Sequence, residues 1–291
     1  MKQILVYSAI VALISILLLG CSNAFDTSDD VDSTEPIGDE LDNNEKSEEV
    51  EREAEINNKD ENTEDAKEED VNLDKEDEVE LMYEINPNNW KVEPINGADP
   101  KVVLLTIDDA PNQYGLDMAK QLKDLGTGAI FFVNGHFIRD DEGQEALKEI
   151  YEMGFEIGNH TMNHPNLNQL AKEEQYEEIV ALNDLIEEII GERPRFFRAP
   201  FGVNTDESNQ IVADEGMVMM NWTYGYDWEA EYTEANALAD IMVNTPYLSE
   251  GANLLMHDRE WTSEALTEIV QGLKNKGYNI VDPKTIKGLD E

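Results

Sequence analysis

Two adjacent carboxylates, Asp108 and Asp109, follow a short apolar run and precede Pro111. The run, 102–105, contains only branched aliphatic side chains, which is typical of a buried strand. The aspartates therefore fall at the carboxyl end of a strand, where α/β proteins place their chemistry. Because like charges repel and side chains alternate along a strand, we expect the pair to point in different directions and to hold different tasks. A solvated turn is the alternative interpretation.

Two histidines, His160 and His164, stand four residues apart and are followed by Pro165. On one turn of helix both imidazoles would face the same way and could share a metal ion, although histidines at this spacing also arise by chance. Thr161 stands where a zinc protease of this spacing would need glutamate, which argues against a metalloprotease. With one aspartate added, the set would match a hydrolytic zinc site with open positions for water and substrate.

Strand-like and helical patterns alternate from Lys101 to the end of the chain, which predicts an α/β fold with a mostly parallel sheet. Seven or so strands, each followed by a helix, indicate a barrel or an incomplete barrel. The predicted strands are 102–105, 129–133, 155–158, 195–198, 218–222, 253–256 and 279–281, and the predicted helices are 116–122, 146–150, 173–190, 206–215, 235–243 and 263–276.

The first 20 residues have the layout of a secretory signal peptide, with Lys2 preceding an apolar run that ends in Leu-Leu-Gly before Cys21. This ending resembles the lipobox of bacterial lipoproteins, in which cleavage leaves a lipid-bearing cysteine at the new amino terminus. The alternative is an uncleaved membrane anchor with a spare thiol. Cys21 is the single cysteine, so an internal disulfide is excluded.

The charge is distributed unevenly along this chain of formal net charge -44. Such an acidic balance argues against nucleic-acid binding. Residues 26–80 hold 26 acidic and 5 basic side chains and no aromatic one, so we expect 21–80 to be a disordered acidic linker. Such a linker would act as a spacer that holds a catalytic domain away from the membrane. The alternative is that it only increases solubility. An irregular lead-in, 81–100, with at most a short strand, then precedes a folded domain, 101–291.

Five blocks of sequence together resemble a known family. Residues 106–111, 160–165, 198–202, 226–228 and 255–258 are similar, in the same order, to the five motifs of the polysaccharide deacetylases, carbohydrate esterase family 4, also called the NodB homology domain. The similarity runs from about residue 101 to 283. It implies a distorted (β/α)7 barrel that removes acetyl groups from N-acetylated sugars with a divalent metal, zinc most often, with cobalt and nickel as alternatives.

The resemblance also implies roles for individual residues. Asp109, His160 and His164 match the family's metal ligands, and Asp108 matches the general base that accepts a proton as water attacks the acetyl carbonyl. His257 matches the catalytic acid that protonates the amine leaving group.

Supporting roles come from the same motifs. Arg198 is expected beside the base, where it would favour the ionised carboxylate, and Asp227 beside the acid, where it would favour imidazolium. The backbone N–H of Phe201 would stabilise the oxyanion. Trp228 and Leu255, with the Phe201 ring, would form apolar walls for the acetyl methyl group, or, for Leu255 especially, simply pack the core.

Two positions depart from the family pattern. Ala110 replaces a glycine in the first motif, which costs little unless that position needs positive φ or a close approach of substrate. Tyr224 occupies the neighbourhood of an additional acid in the fourth motif. Both bear on rate and specificity rather than on the type of reaction.

We therefore expect a monomeric, lipid-anchored, metal-dependent N-deacetylase outside the cytoplasmic membrane, acting on cell-wall glycan, peptidoglycan first of all. One alternative is a wall-binding lipoprotein with little or no turnover and a structural role in the envelope. Another keeps the chemistry but acts on chitin oligomers or O-acetyl polysaccharide. The choice between N-acetylglucosamine and N-acetylmuramic acid as the sugar depends on the loops around the groove. The sequence of these loops contains no motif that identifies the sugar.

Overall fold

The structure is a computed structural model that describes residues 79–289. The predicted signal peptide, the predicted lipidation site Cys21 and the predicted acidic linker up to residue 78 lie outside these residues. Across 79–289, the helices are too short or too polar to cross a bilayer.

The segment 81–100 forms a two-stranded antiparallel hairpin, β1 (Tyr83–Ile85) and β2 (Val92–Pro94). Tyr83 and Val92 are buried in an apolar cluster with Val102 and Leu104 of the following strand. The hairpin therefore packs against the amino-terminal end of the main sheet.

Seven strands and six helices then alternate along the chain. They are β3 (Val102–Ala110), α1 (Gly115–Asp124), β4 (Ile130–Val133), α2 (Asp141–Glu152), β5 (Glu156–Asn159), α3 (Lys172–Ile190), β6 (Phe196–Phe197), α4 (Asp206–Asp214), β7 (Val218–Met219), α5 (Ala235–Asn244), β8 (Ala252–His257), α6 (Glu260–Asn275) and β9 (Asn279–Ile280). The α/β class predicted from the alternating patterns is confirmed.

The seven strands form one parallel sheet in the order β7-β6-β5-β4-β3-β8, and β9 pairs with the beginning of β3. The two ends of this row approach each other, because the chain that follows β7 hydrogen bonds to β8. The Thr223 N–H donates to the Asn253 carbonyl at 2.8 Å, and the Leu255 N–H donates to the Tyr224 carbonyl at 2.9 Å. The sheet is therefore curled, as expected for a distorted barrel, and all its strands end at one rim.

Alternation along the strands decides which side chains reach that rim. Val103, Leu105 and Ile107 of β3 pack against the surrounding helices, whereas Val102 and Leu104 pack inside the curled sheet. Side chains two apart share a face, so the inward series of β3 continues to a polar end. The inward series of β4, β5, β6 and β8 also lead to polar side chains, which are Asn134, His160, Arg198 and His257.

The observed elements match the predicted ones with displaced ends. Helix α2 begins at Asp141, five residues before the prediction, because the Asp140 side chain accepts a hydrogen bond from the Gly143 N–H at 2.9 Å and starts the helix earlier. Strand β7 ends at Met219 rather than at residue 222, because the chain leaves β6 there and turns towards β8.

Candidate active site

A cavity of about 440 Å³ opens at the rim where the strands end. Eight of its ten lining residues are residues singled out in the sequence: Asp108, Asp109, His160, His164, Phe201, Trp228, Leu255 and His257. The other two are Trp222 and Arg259. Of the remaining predicted site residues, Arg198 and Asp227 are completely buried behind the cavity wall.

Asp108 and Asp109 both line this cavity, so the expectation that they point in different directions is wrong. The backbone of Asp109 is in the left-handed region, with φ of 61°, and the register of β3 against β4 shifts between Ile107 and Ala110. Alternation of side chains holds only for extended backbone, and it fails here. The two carboxylates nevertheless differ in environment, since the Asp108 side chain is 3 % exposed and that of Asp109 is 29 % exposed.

His160 and His164 lie in a loop, so the predicted turn of helix is also wrong. Thr161 and His164 have φ of 70° and 56°, which a right-handed helix does not allow. Side chains hold the loop instead: Asn159 Oδ1 accepts from the Thr161 N–H at 2.8 Å, and Thr161 Oγ1 accepts from the His164 N–H at 3.1 Å. The two imidazoles still converge, with ring centroids 5.0 Å apart.

The donor atoms of Asp109, His160 and His164 all lie within 4.8 Å of one another. Asp109 Oδ1 is 3.8 Å from His160 Nε2 and 3.5 Å from His164 Nε2. These separations are too long for hydrogen bonds, but two ligands of a tetrahedral ion, each about 2.1 Å from it, lie roughly 3.4 Å apart. Two imidazoles and one carboxylate also match the ligand set of hydrolytic zinc sites. The three residues therefore fit a divalent metal.

The protonation of His160 suits this arrangement. Its Nδ1 lies 2.7 Å from the Arg198 carbonyl oxygen, which can only accept, so Nδ1 carries the proton and Nε2 keeps its lone pair. Burial lowers the pKa of His160 to about 3. A neutral imidazole with its free nitrogen towards Asp109 is the form that binds metal.

Arg198 holds Asp108 in place. Its Nη1 donates to Asp108 Oδ1 and to Thr106 Oγ1, both at 2.7 Å, and its Nη2 donates to the Asn221 carbonyl at 2.9 Å. Burial raises the pKa of Asp108 above its ordinary value, and the guanidinium only opposes this rise. Arg198 by itself favours the ionised carboxylate, as expected. Burial has the larger effect, so the pKa of Asp108 is raised overall, which makes the carboxylate a better proton acceptor.

Asp227 orients His257 in a similar way. His257 Nδ1 lies 2.7 Å from Asp227 Oδ1, and the His257 N–H donates to Oδ2 at 2.6 Å. Thr262 Oγ1 also donates to Oδ2, at 2.8 Å. Burial lowers the pKa of His257, but the hydrogen bond and charge of Asp227, with the charges of Asp108 and Asp109, outweigh burial and raise that pKa. Nδ1 is therefore the bonded nitrogen, and Nε2 is left to carry a transferable proton.

Aromatic rings border the cavity on two sides. Phe201 is 62 % exposed, and its ring meets that of His164 edge-on at 4.8 Å. Phe201 has φ of 59°, so it joins Asp109, Thr161 and His164 as a non-glycine residue in the left-handed region. Strained backbone of this kind concentrates at functional sites. Trp228 meets His257 edge-on at 5.5 Å.

Three residues at or beside the cavity were given no role in the sequence analysis: Trp222, Asp258 and Arg259. Trp222 reaches the cavity where the chain crosses from β7 to β8, and its ring lies 6.3 Å from that of Trp228. Asp258 accepts hydrogen bonds from the N–H groups of Asn112, Tyr114 and Gly115 at 2.6 to 2.8 Å. Asp258 thereby fixes the loop that follows the two aspartates. Its position directly after His257 was the sequence feature that could have indicated this role.

The two departures from the family motifs lie in the core. Ala110 is fully buried among apolar side chains, and the left-handed backbone falls one residue earlier, at Asp109. Tyr224 is also buried, and its hydroxyl donates to the Met242 carbonyl at 2.8 Å. Neither side chain lines the cavity.

Comparisons with known proteins agree with this geometry. A family model described as polysaccharide deacetylase matches residues 96–220. A peptidoglycan-N-acetylglucosamine deacetylase of Bacillus cereus is 31 % identical over 70 % of this chain and 78 % of its own length. The peptidoglycan-N-acetylmuramic acid deacetylase PdaC of Bacillus subtilis is 32 % identical over 67 % of this chain and 40 % of its own length.

Among solved structures, a family 4 carbohydrate esterase pseudoenzyme from Bacillus anthracis superposes with a TM-score of 0.58 and 30 % identity, over 63 % of this chain and 64 % of that one. The chain thus spans less than two thirds of the length of this pseudoenzyme and of PdaC.

Proposed function

The chain belongs to the polysaccharide deacetylase family, carbohydrate esterase family 4, and from this membership we propose that it is a metal-dependent hydrolase that N-deacetylates cell-wall aminosugar polymer, peptidoglycan first of all. The observation that carries the proposal is the convergence of a metal-fitting triad, a buried carboxylate and an oriented histidine on one cavity.

Asp109, His160 and His164 would hold the metal, with zinc the best match and cobalt and nickel also suited to these ligands. When bound, such an ion polarises an acyl carbonyl and lowers the pKa of water to roughly 7.

Asp108 would act as the general base. Its carboxylate accepts a proton from the water whose oxygen forms the new bond to the acetyl carbon. Arg198 keeps one carboxylate oxygen occupied at 2.7 Å and leaves Oδ2 for the proton. The Phe201 N–H would donate to the oxyanion that forms on the acetyl oxygen.

His257 would act as the general acid. As the C–N bond breaks, Nε2–H gives its proton to the departing amine nitrogen, so the products are acetate and a free aminosugar. Asp227 stabilises the imidazolium that holds this proton beforehand. Trp228 and Leu255 would enclose the acetyl methyl group, since both line the cavity beside His257.

Acetate release by the full-length chain tests the proposal. We expect release from N-acetylglucosamine oligomers and from peptidoglycan, loss of release after chelation, and recovery when zinc or cobalt is returned. The same panel should include chitin oligomers and O-acetyl polysaccharide, which separates the substrates that the family chemistry allows. Absence of release from every glycan with metal present would refute the proposal.

A wall-binding role without turnover is the second candidate, because a structural relative of 30 % identity is a pseudoenzyme. A glycan pull-down beside the acetate assay distinguishes the two, since binding without release would favour this candidate. The proposed metal ligands, base and acid are all present in this chain, which supports the enzymatic role.

For location, we propose a lipid anchor at Cys21 that holds the chain on the outer face of the cell membrane, with the acidic segment reaching into the wall. The support is the sequence alone: a short apolar leader that ends at the cysteine and a long like-charged stretch after it.

A further inference from the structure

Arg259 lines the catalytic cavity two residues after His257. Its side chain is half-buried, its Nη1 donates to the Asp227 carbonyl at 3.1 Å, and its guanidinium carbon lies 5.5 Å from the centre of the Trp261 ring. These two contacts use one N–H and one face of the guanidinium. Because a guanidinium has five N–H groups in a planar fork, most of its donors stay available.

Within residues 79–289, the contacts of Arg259 are with a carbonyl and a ring, so no carboxylate neutralises it. Three other arginines have acidic partners, whereas the exposed Arg139 donates to the Asn163 side chain. Arg193 binds three acidic side chains, Arg195 binds Glu156, and Arg198 binds Asp108. In a chain of net charge -44, a cation left without an acidic partner inside the cavity indicates that an anion belongs there.

An anionic substrate could bind in this cavity only if a cation offset the two carboxylates that line it. Asp108 and Asp109 line it, and a carboxylate brought near them would be repelled. The Arg198 guanidinium is fully buried and bound to Asp108, so it is not available to a ligand. Besides the His257 imidazole, Arg259 is therefore the cationic side chain among the cavity-lining residues that can reach a bound ligand.

We propose that Arg259 binds the lactyl carboxylate of N-acetylmuramic acid and makes the site prefer peptide-free muramic acid residues; this rests on the proposed deacetylase function. In this sugar the lactyl ether is on the carbon next to the one that bears the acetamido group. A sugar with its acetamido group at Asp108 and His257 therefore carries the carboxylate within the same cavity. When a stem peptide is attached, the lactyl carboxyl is an uncharged amide and cannot form the charge-assisted pair.

The test compares three glycans that differ at this position: peptide-free muramic acid glycan, the same glycan with its lactyl carboxyl amidated, and an N-acetylglucosamine oligomer. Acetate release by the full chain gives KM and kcat for each. We expect Arg259→Gln to raise KM for the peptide-free glycan by about tenfold, with kcat little changed, and to leave KM for the other two unchanged. Arg259→Lys should recover part of the loss.

Lys274→Gln is the matched control, because it also removes one positive charge. Lys274 is exposed at the other end of α6, roughly 20 Å along the helix from Arg259. It should leave all three KM values unchanged. Equal changes for charged and uncharged glycans in Arg259→Gln, or no change in any, would overturn the proposal.

If the proposed deacetylase function is wrong, the unsubstituted protein releases no acetate from any glycan, which distinguishes this failure from failure of the Arg259 proposal. Binding then decides the role of Arg259. Calorimetry with the Asp108→Asn chain should show tighter binding of the peptide-free glycan than of its amide, and Arg259→Gln in that background should abolish the difference. Equal affinities for the two glycans would overturn the proposal without any turnover.

Discussion

Asp108 and His257 are register partners on the adjacent parallel strands β3 and β8. The backbone joins them further, since the Asp258 N–H donates to the Asp108 carbonyl at 3.0 Å. Paired residues on neighbouring strands lie about 4.8 Å apart and point to the same face. The spacing between the proposed base and the proposed acid is therefore set by the sheet, not by loops.

Replacement of the base should separate chemistry from metal binding. Asp108→Asn keeps the shape of the side chain but removes the proton acceptor, so we expect kcat to fall by about 10²- to 10⁴-fold while metal content stays unchanged. Elemental analysis and acetate release measure the two effects. His164→Ala is the contrasting variant and should lose metal and activity together. Loss of metal from Asp108→Asn would contradict the assignment of ligand and base.

Removal of the Asp227 charge should shift the pH dependence of the reaction. The acid works only while protonated, and Asp227 raises the pKa of His257, so it keeps the acid protonated to higher pH. In Asp227→Asn that pKa falls, and the alkaline limb of the kcat/KM profile should move to lower pH. A profile of acetate release against pH checks the direction. A limb that stays in place or moves to higher pH would rule out His257 as the acid.

Restoration of the family glycine at position 110 should weaken the fold without improving catalysis. Ala110 is buried in the core of the sheet, and its methyl group does not line the cavity. Ala110→Gly removes that methyl and loosens a strand residue, so we expect the free energy of unfolding to fall by about 1 kcal/mol. Denaturant titration measures the loss. A clear rise in kcat/KM would show that the alanine restricts the site.

Replacement of Cys21, the proposed lipidation site, should release the protein from the membrane. Two or more acyl chains give stable anchoring, whereas a cleaved chain without them has none. We expect Cys21→Ala to change the location of the protein. Fractionation followed by immunoblotting measures the share in the membrane, and palmitate labelling should disappear. Unchanged membrane association without labelling would favour an uncleaved leader that acts as the anchor.

Hydrophobic patterning was sufficient to predict most of the strands and helices, whereas the roles of the site residues were implied by the resemblance to the family motifs. Apolar runs located the strands, and inward alternation along a parallel sheet brings Asp108, His160, Arg198 and His257 to one rim regardless of the intervening loops. The histidine pair with a neighbouring carboxylate predicted a metal site by its chemistry, and the choice of Asp109 as the carboxylate followed from the resemblance.

Backbone conformation was not predictable in the same way. Left-handed φ at Asp109 and His164 has no marker in side-chain pattern, since neither residue is glycine, and it overturned both the divergence of the aspartates and the turn of helix. Trp222 joins the site only because the chain after β7 pairs with β8, a contact between segments 30 residues apart. Local periodicity contains no information about such pairing.

The position of β3 has a consequence for how the protein responds to heat. This strand is almost wholly buried, and it lies between β4 and β8 in the sheet. Its amide hydrogens are therefore expected to exchange with solvent only when the whole sheet opens, whereas those of the 160–165 loop exchange through small local openings. Heating should accordingly open the 160–165 loop first, reversibly, while Asp108 and His257 remain paired until the fold is lost.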